Sequence, residues 1–375
     1  MRVNRYHILI LLLALCSSCI EPFNPLVEDS QEALVINGFI TDRPGPHQVV
    51  ISRSTPYSDP SHVTVSGCVV TVEDETGQMV EYSETSPGVY VAYLEPGFLQ
   101  VGKSYTLFVN TLEGNEYRSD FESLLACSPV DSIYYEVMEV PTTDPDEVIN
   151  GVQFYVDVKG TSETAPNYRW VMIETWRYTA PYFADFSWDG IRTMPYTSQL
   201  NCYMTDTVRG LFTASTRYLS ENHLNRKSLH YVSNETPRLG IEYSVLVEQH
   251  SLTDPAFEYW DRIESQTSEG SGLYETQLSS IIGNIYNVND PSEKVLGYFY
   301  ATQVQQERLT FTNHFDFGVK GYNCALDTVH NLYELGSYYP YYLFSIDVGL
   351  PYFTGGSDCF DCTSYGGTTE PPEFF

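Results

Sequence analysis

The sequence predicts a mainly β protein: an N-terminal immunoglobulin-like β-sandwich followed by a larger β-rich domain with one or two short helices. Three observations carry this. Seven short runs of alternating or β-branched residues, each bounded by turn residues, fall within roughly ninety residues after Glu32. Longer alternating runs follow beyond Gly151. One segment breaks the two-residue period and adopts helical spacing.

Ala33 to Ile40 and His47 to Arg53 are strand-like, separated by the breaker Asp42-Arg43-Pro44-Gly45-Pro46. Cys68 to Glu73 and Gln78 to Tyr82 flank the turn Asp74-Glu75-Thr76-Gly77, which predicts a hairpin. Gly88 to Leu94, Ser104 to Asn110 and Asn115 to Phe121 complete the seven, and Cys127-Ser128-Pro129 is the expected boundary. Further on, Val152 to Val158 and Tyr168 to Tyr178 alternate as strands of a sheet with one wet face. Val295 to Val304 reads as another strand, with Gly297 a candidate bulge. Asp254 to Ser265 carries an N-cap aspartate, Pro255 at the first helical position, and Phe257, Trp260 and Ile263 at three-residue spacing. It is the expected helix.

The amino terminus is an export address. Arg2 and Arg5 precede the apolar run Ile8 to Leu15, which is too short to span a bilayer but long enough for a signal-peptide core. Cys16-Ser17-Ser18-Cys19 follows, with two small residues before a cysteine where lipoprotein signal peptidase acts. Bulky Leu15 disfavours cleavage before Cys16, so Cys19 is the expected lipidation site. The expected organisation is a signal peptide over 1–18, a lipidated tether over 19–30 kept extended by Pro22 and Pro25, the sandwich over 31–128 and the second domain over 129–375.

The chain has 19 Lys+Arg against 49 Asp+Glu, a formal charge of −30. Removing residues 1–18, with two arginines and no acid, would leave −32. Such a surface repels nucleic acid and anionic lipid headgroups, so no nucleic-acid partner is expected. With 42% apolar residues the chain has ample material for a core.

Cysteine usage fits an oxidising compartment. Apart from Cys16 and Cys19 there are Cys68, Cys127, Cys202, Cys324, Cys359 and Cys362, enough for three disulfides. The glycine-rich loop around Cys359-Phe360-Asp361-Cys362 argues against a redox helix, and no second pair supports zinc. The expected arrangement ties Cys359 and Cys362 to Cys202 and Cys324, with Cys68 joined to Cys127.

No G-x-S-x-G elbow, H-E-x-x-H helix, phosphate loop or dinucleotide fingerprint occurs. The histidines, among them His223, His230, His250, His314 and His330, form no ligand-spaced pair and are expected in core or surface roles. No enzyme activity, cofactor or metal is expected. The suggestive composition is aromatic: 31 tyrosines and four tryptophans. Most fit cross-strand and core positions, which tyrosine favours. Tyr178, Tyr182, Phe183, Phe186 and Trp188 are the better binding candidates, because Pro181, Asp185, Asp189 and Gly190 predict a loop there.

The lipobox, the start Ala33 to Thr41, the phrase Pro129 to Tyr135, Gly283-Asn284-Ile285 followed by Val295 to Phe299, and the ending with Cys359, Cys362, Gly366-Gly367 and Pro371-Pro372 together resemble a Bacteroidota lipoprotein family. That family carries the domain of unknown function forty-two forty-nine. The resemblance implies an outer-membrane lipoprotein, often encoded beside TonB-dependent transporters, with an accessory role in nutrient capture or transporter assembly. It supplies no catalytic residue. Residues 20–23, Ile-Glu-Pro-Phe, lack the dense acidic run that often marks surface-exported lipoproteins; the expected location is nonetheless the outer membrane, at the cell surface rather than the periplasmic face. The expected function is non-enzymatic capture of a small-molecule, glycan or peptide ligand, or docking on a TonB-dependent transporter. A structural or adhesion-type surface protein is the alternative, with a glycan-active enzyme behind it.

Overall fold

The computed structural model describes residues 32–55, 61, 63–144, 147–269, 281–335, 340–344 and 351–375. Cys19 and the tether over 19–30 lie outside the described residues, as do Tyr338 and Tyr339. The mainly β expectation holds: among the described residues the chain folds into several sheets and one long helix.

The expected hairpins form where the turn residues allow them. Val69–Asp74 pairs with Met79–Ser86 across the predicted turn. There the Asp74 carboxylate accepts from the Thr76 and Gln78 amides at 2.9 and 3.0 Å, and Gly77 takes a left-handed φ of 87°. Met79–Ser86 is shared between two layers. Its first half pairs with Val69–Asp74 and its second half with Val89–Leu94. Ile36 and Ile51 on one side and Val70, Val72 and Leu107 on the other therefore close over a single core. Each such side chain contributes about 1.5–3 kcal/mol by leaving water.

This N-terminal unit is not built from consecutive sequence. Residues 285–302 return to it from beyond the helix. Ile285–Asn287 pairs antiparallel with Glu116–Ser119, while Val295–Leu296 and Phe299–Thr302 pair parallel with Leu34–Thr41. Ile285, Val295 and Phe299 enter its core. The single strand expected over 295–304 is thus broken at Gly297, whose φ is 95°, and Val304–Thr312 belongs to a different sheet. The sequence boundary at Cys127 marks only where the chain first leaves the unit.

The second unit is also two-layered. Val130–Pro141, Val148–Lys159 and His223–Ser233 form a three-stranded sheet. Asn167–Thr179 pairs with Asn201–Thr207, Phe212–Ser215 and Glu242–Leu252, and Val304–Thr312 joins the last of these. The alternation read over 168–178 puts Tyr168, Trp170, Met172, Trp176 and Tyr178 on the buried face. The layers meet at contacts such as Phe154 against Tyr243, stacked at 5.6 Å.

The helix spans Asp254–Glu269. Its N-cap is Thr253 rather than Asp254: the Thr253 carbonyl accepts from the Phe257 amide at 2.9 Å and its hydroxyl from the Ala256 amide at 3.3 Å. Asp254 is turned outward to Asn167 and Arg217, at 2.7 and 3.0 Å. Phe257, Trp260 and Ile263 pack against Tyr298 and Tyr300, so the helix covers the point where the returning chain re-enters the first sheet. Buried polar groups stitch the two units. Glu122 accepts from Thr253 and Tyr298 at 2.6 and 2.5 Å, and Gln249 takes the Trp170 indole at 3.0 Å while donating to the Ser128 carbonyl at 2.7 Å. Each is paired, as burial demands.

The bridge expected between Cys68 and Cys127 does not form; both are free, buried thiols. Cys68 belongs to the first core, where its amide donates to the Tyr90 hydroxyl at 2.9 Å. Cys127 sits at the seam, its Sγ donating to the Gln249 carbonyl at 3.4 Å. An even count of cysteines matched neither position in space. Burial pushes both thiols above their ordinary pKa, Cys127 to about 12, which keeps them protonated and unreactive.

Candidate functional site

A further sheet, of five short strands, follows the spatial order Thr193–Pro195, Phe186–Trp188, Tyr341–Phe344, Tyr352–Gly355 and Asp327–Val329. The stretch 178–190 expected as a loop therefore contributes a strand at Phe186–Trp188, paired with Tyr341–Phe344. Short strands with so small a core need staples. Two disulfides supply them: Cys324–Cys359 within the sheet region, and Cys202–Cys362, which pins the C-terminal segment to the second unit. The expectation that Cys359 and Cys362 tie to Cys202 and Cys324 holds. The glycines around them are required by close approach: a Cβ on Gly367 would meet the Tyr178 hydroxyl at 2.3 Å, and one on Gly355 would meet Cys359 Sγ at 2.6 Å.

The five aromatic candidates divide into two groups. Tyr178 and Trp188 are buried and unavailable to a partner. Tyr178 donates to the Cys362 carbonyl at 2.7 Å and packs edge-on against Tyr322, with ring centroids 5.1 Å apart. The reason is register: Tyr178 ends the alternating strand Asn167–Thr179 with its side chain on the core face. Tyr182, Phe183 and Phe186 are exposed, Phe183 by 51%. Phe344 backs the first two at 5.9 and 5.7 Å, and Phe344 rests on Phe353 and the fully buried Phe360. Met194 and Tyr333 are also exposed, Tyr333 set edge-on against Trp188 at 5.7 Å. Tyr182 and Phe183 thus stand on a packed aromatic base beside a stapled sheet, an arrangement that presents exposed aromatic surface for binding.

A second feature lies on the seam. The turn after the first strand and the strand Glu242–Leu252 enclose a cleft of about 350 Å³ lined by Phe39, Arg43, Pro44, Glu248, His250 and Val304, among others. Arg43 meets Glu248 at 3.5 Å and donates to the Val304 carbonyl at 3.4 Å. Phe39 stacks on Tyr300 at 5.3 Å and remains 40% exposed. His250, in the wall, is buried, and neither of its ring nitrogens has a hydrogen-bond partner among the described residues. Burial first, and then the Arg169 and Arg43 cations, lower its pKa to about 3.

That histidine has a measurable consequence. An unfolded histidine protonates near pH 6.5, whereas the folded one cannot until about pH 3. Between those values the unfolded chain binds the extra proton, so stability falls as pH falls. Urea unfolding of His250→Leu should show a protein at least as stable as the parent at pH 7, since two unpaired buried nitrogens are removed. The gap should widen by about 2 kcal/mol at pH 5. A gap independent of pH would contradict the buried, neutral imidazole.

Glu174 forms a further buried group, accepting from Arg238 at 2.9 Å and from the Tyr243 hydroxyl at 2.8 Å. Burial raises its pKa while Arg238 and then Tyr243 oppose the rise. It lines neither the seam cleft nor the aromatic face, and it acts as an internal ion pair between the layers. Sequence spacing flagged neither Glu174 nor His250, because each looks like an ordinary polar residue in a strand.

No curated protein matches the chain. A family model does: the domain of unknown function DUF4249 matches residues 20–308, which include the first unit, its returning strands, the exposed aromatics Tyr182, Phe183 and Phe186, and both walls of the seam cleft. With more than half of its length covered, the chain belongs to the DUF4249 family of domains of unknown function.

Proposed function

We propose that this protein is a non-enzymatic outer-membrane lipoprotein, anchored through Cys19, that docks on a TonB-dependent transporter through the exposed aromatics Tyr182, Phe183 and Phe186. The observation that carries this reading is the exposure of Tyr182 and Phe183 on a packed base of Phe344, with Phe186 exposed on the adjoining strand of a disulfide-stapled sheet. Exposed, rigid aromatic side chains are the common anchors of protein interfaces. Among the described residues no helix is long and apolar enough to cross a membrane, which agrees with attachment by a lipid. The export signal and lipobox supply the anchor, and the family resemblance supplies the partner class. The acidic surface directs the protein away from anionic headgroups and leaves the aromatic face as the contact.

Two measurements test it. Cys19→Ala should move the protein from the membrane fraction to the soluble one; retention in the membrane would remove the anchor. Affinity purification from solubilised membranes should recover a TonB-dependent transporter with the parent protein. The triple variant Tyr182→Ser, Phe183→Ser, Phe186→Ser should recover at least tenfold less while staying in the membrane fraction. Equal recovery, or no transporter with either, would sink the docking role.

A further inference from the structure

The seam cleft presents a cation, a carboxylate and an aromatic face side by side. Arg43 and Glu248 are only loosely joined, at 3.5 Å, with 37% and 22% of their side chains exposed. Such a solvent-facing pair contributes about 0–1 kcal/mol, so separating it costs little. Each also keeps another partner if the pair opens: Arg43 retains the Val304 carbonyl, and Glu248 retains the Gln306 side-chain amide. The remaining lining is largely apolar. Phe39, braced by Tyr300 behind it, offers its exposed ring, and the His250 imidazole and Pro44 continue the wall. A volume of about 350 Å³ suits a small metabolite.

The charges select the ligand class. A simple anion would gain Arg43 but be repelled by Glu248 and by a chain of net charge −30. A simple cation would gain Glu248 but face Arg43, with Arg169 behind His250. A molecule with both charges close together satisfies both side chains. In an α-amino acid the ammonium and carboxylate leave the same carbon, which matches head groups already 3.5 Å apart. We propose that the cleft binds a free aromatic α-amino acid, with its carboxylate on Arg43, its ammonium on Glu248 and its ring against Phe39. This activity is separate from docking on a transporter, and it is read on the purified protein alone.

Isothermal titration calorimetry of the detergent-purified full chain with L-phenylalanine tests it. Saturable binding is expected. N-acetyl-L-phenylalanine, which lacks the ammonium, and L-phenylalaninamide, which lacks the carboxylate, should each bind at least tenfold more weakly. Glu248→Gln should weaken L-phenylalanine by a similar factor but leave the acetylated analogue unchanged, and Arg43→Gln should spare the amide in the same way. That crossed pattern cannot arise from misfolding, and unchanged melting temperatures would confirm intact variants. No binding of L-phenylalanine, equal binding of the blocked analogues, or variants that bind L-phenylalanine like the parent would overturn the proposal.

Discussion

Replacing Cys202 and Cys362 together by serine is expected to lower stability by about 5 kcal/mol, the upper end for one bridge, because the bond closes a loop of 160 residues. Cross-linking two points so far apart removes a large set of unfolded conformations, and the unfolded state regains them when the bond goes. The Cys324–Cys359 bond spans 35 residues, so its double serine variant should lose less, about 4 kcal/mol. Denaturant unfolding of the two variants gives the order directly. In the Cys202/Cys362 variant, limited proteolysis should release the segment after Asn323 first, since Cys362 ties it to the strand Asn201–Thr207. Losses below about 1 kcal/mol in both variants would mean that Tyr178, Tyr203 and the tail residues hold the segment without the bonds.

The second large effect is expected at Gly297. Its φ of 95° disfavours any L side chain, and a Cβ there would lie 2.0 Å from the Ile36 carbonyl oxygen. That oxygen belongs to the central strand Leu34–Thr41 and cannot move without breaking its ladder. Gly297→Ala should therefore destabilise by at least about 3 kcal/mol, combining left-handed strain with a backbone clash. Gly283 is subject to the same constraint, because a Cβ on it would strike the Gly297 carbonyl at 1.6 Å. Urea unfolding of Gly297→Ala within 0.5 kcal/mol of the parent would show that the two chains do not approach so closely.

Both predictions concern residues whose importance was only half visible in the sequence. Gly297 reads as an irregularity in a strand, but its real setting is a parallel contact with residues 261 positions earlier in the chain, the offset of the pair Leu34 and Val295. The period-two pattern identifies a strand and its buried face; it carries no record of which strand lies alongside. The same limit explains Cys68 and Cys127. Parity counts thiols, whereas a disulfide needs two Cβ atoms within about 4.5 Å, and Cys68 sits in the first core while Cys127 sits at the seam against Gln249. Thr253 and Asp254 are both good cap residues in composition. Only the Asn167 and Arg217 side chains, arriving from elsewhere, draw Asp254 away from that role.

The amino-acid sequence by itself determined most strands of the first unit, the strands over 152–158 and 168–178, the long helix and the grouping of Cys202, Cys324, Cys359 and Cys362 into two disulfides. These follow from local periodicity, from turn and cap chemistry, and from a pair of cysteines, Cys359 and Cys362, in a short glycine-rich tail. Tertiary structure alone decided the return of residues 285–302 to the first sheet and the burial of Tyr178 and Trp188 beside exposed Tyr182, Phe183 and Phe186. It alone also brought Arg43 and Glu248 to one cleft. Each of these depends on which distant surfaces exclude water together, and that pairing is settled by the whole core rather than by any stretch of the chain.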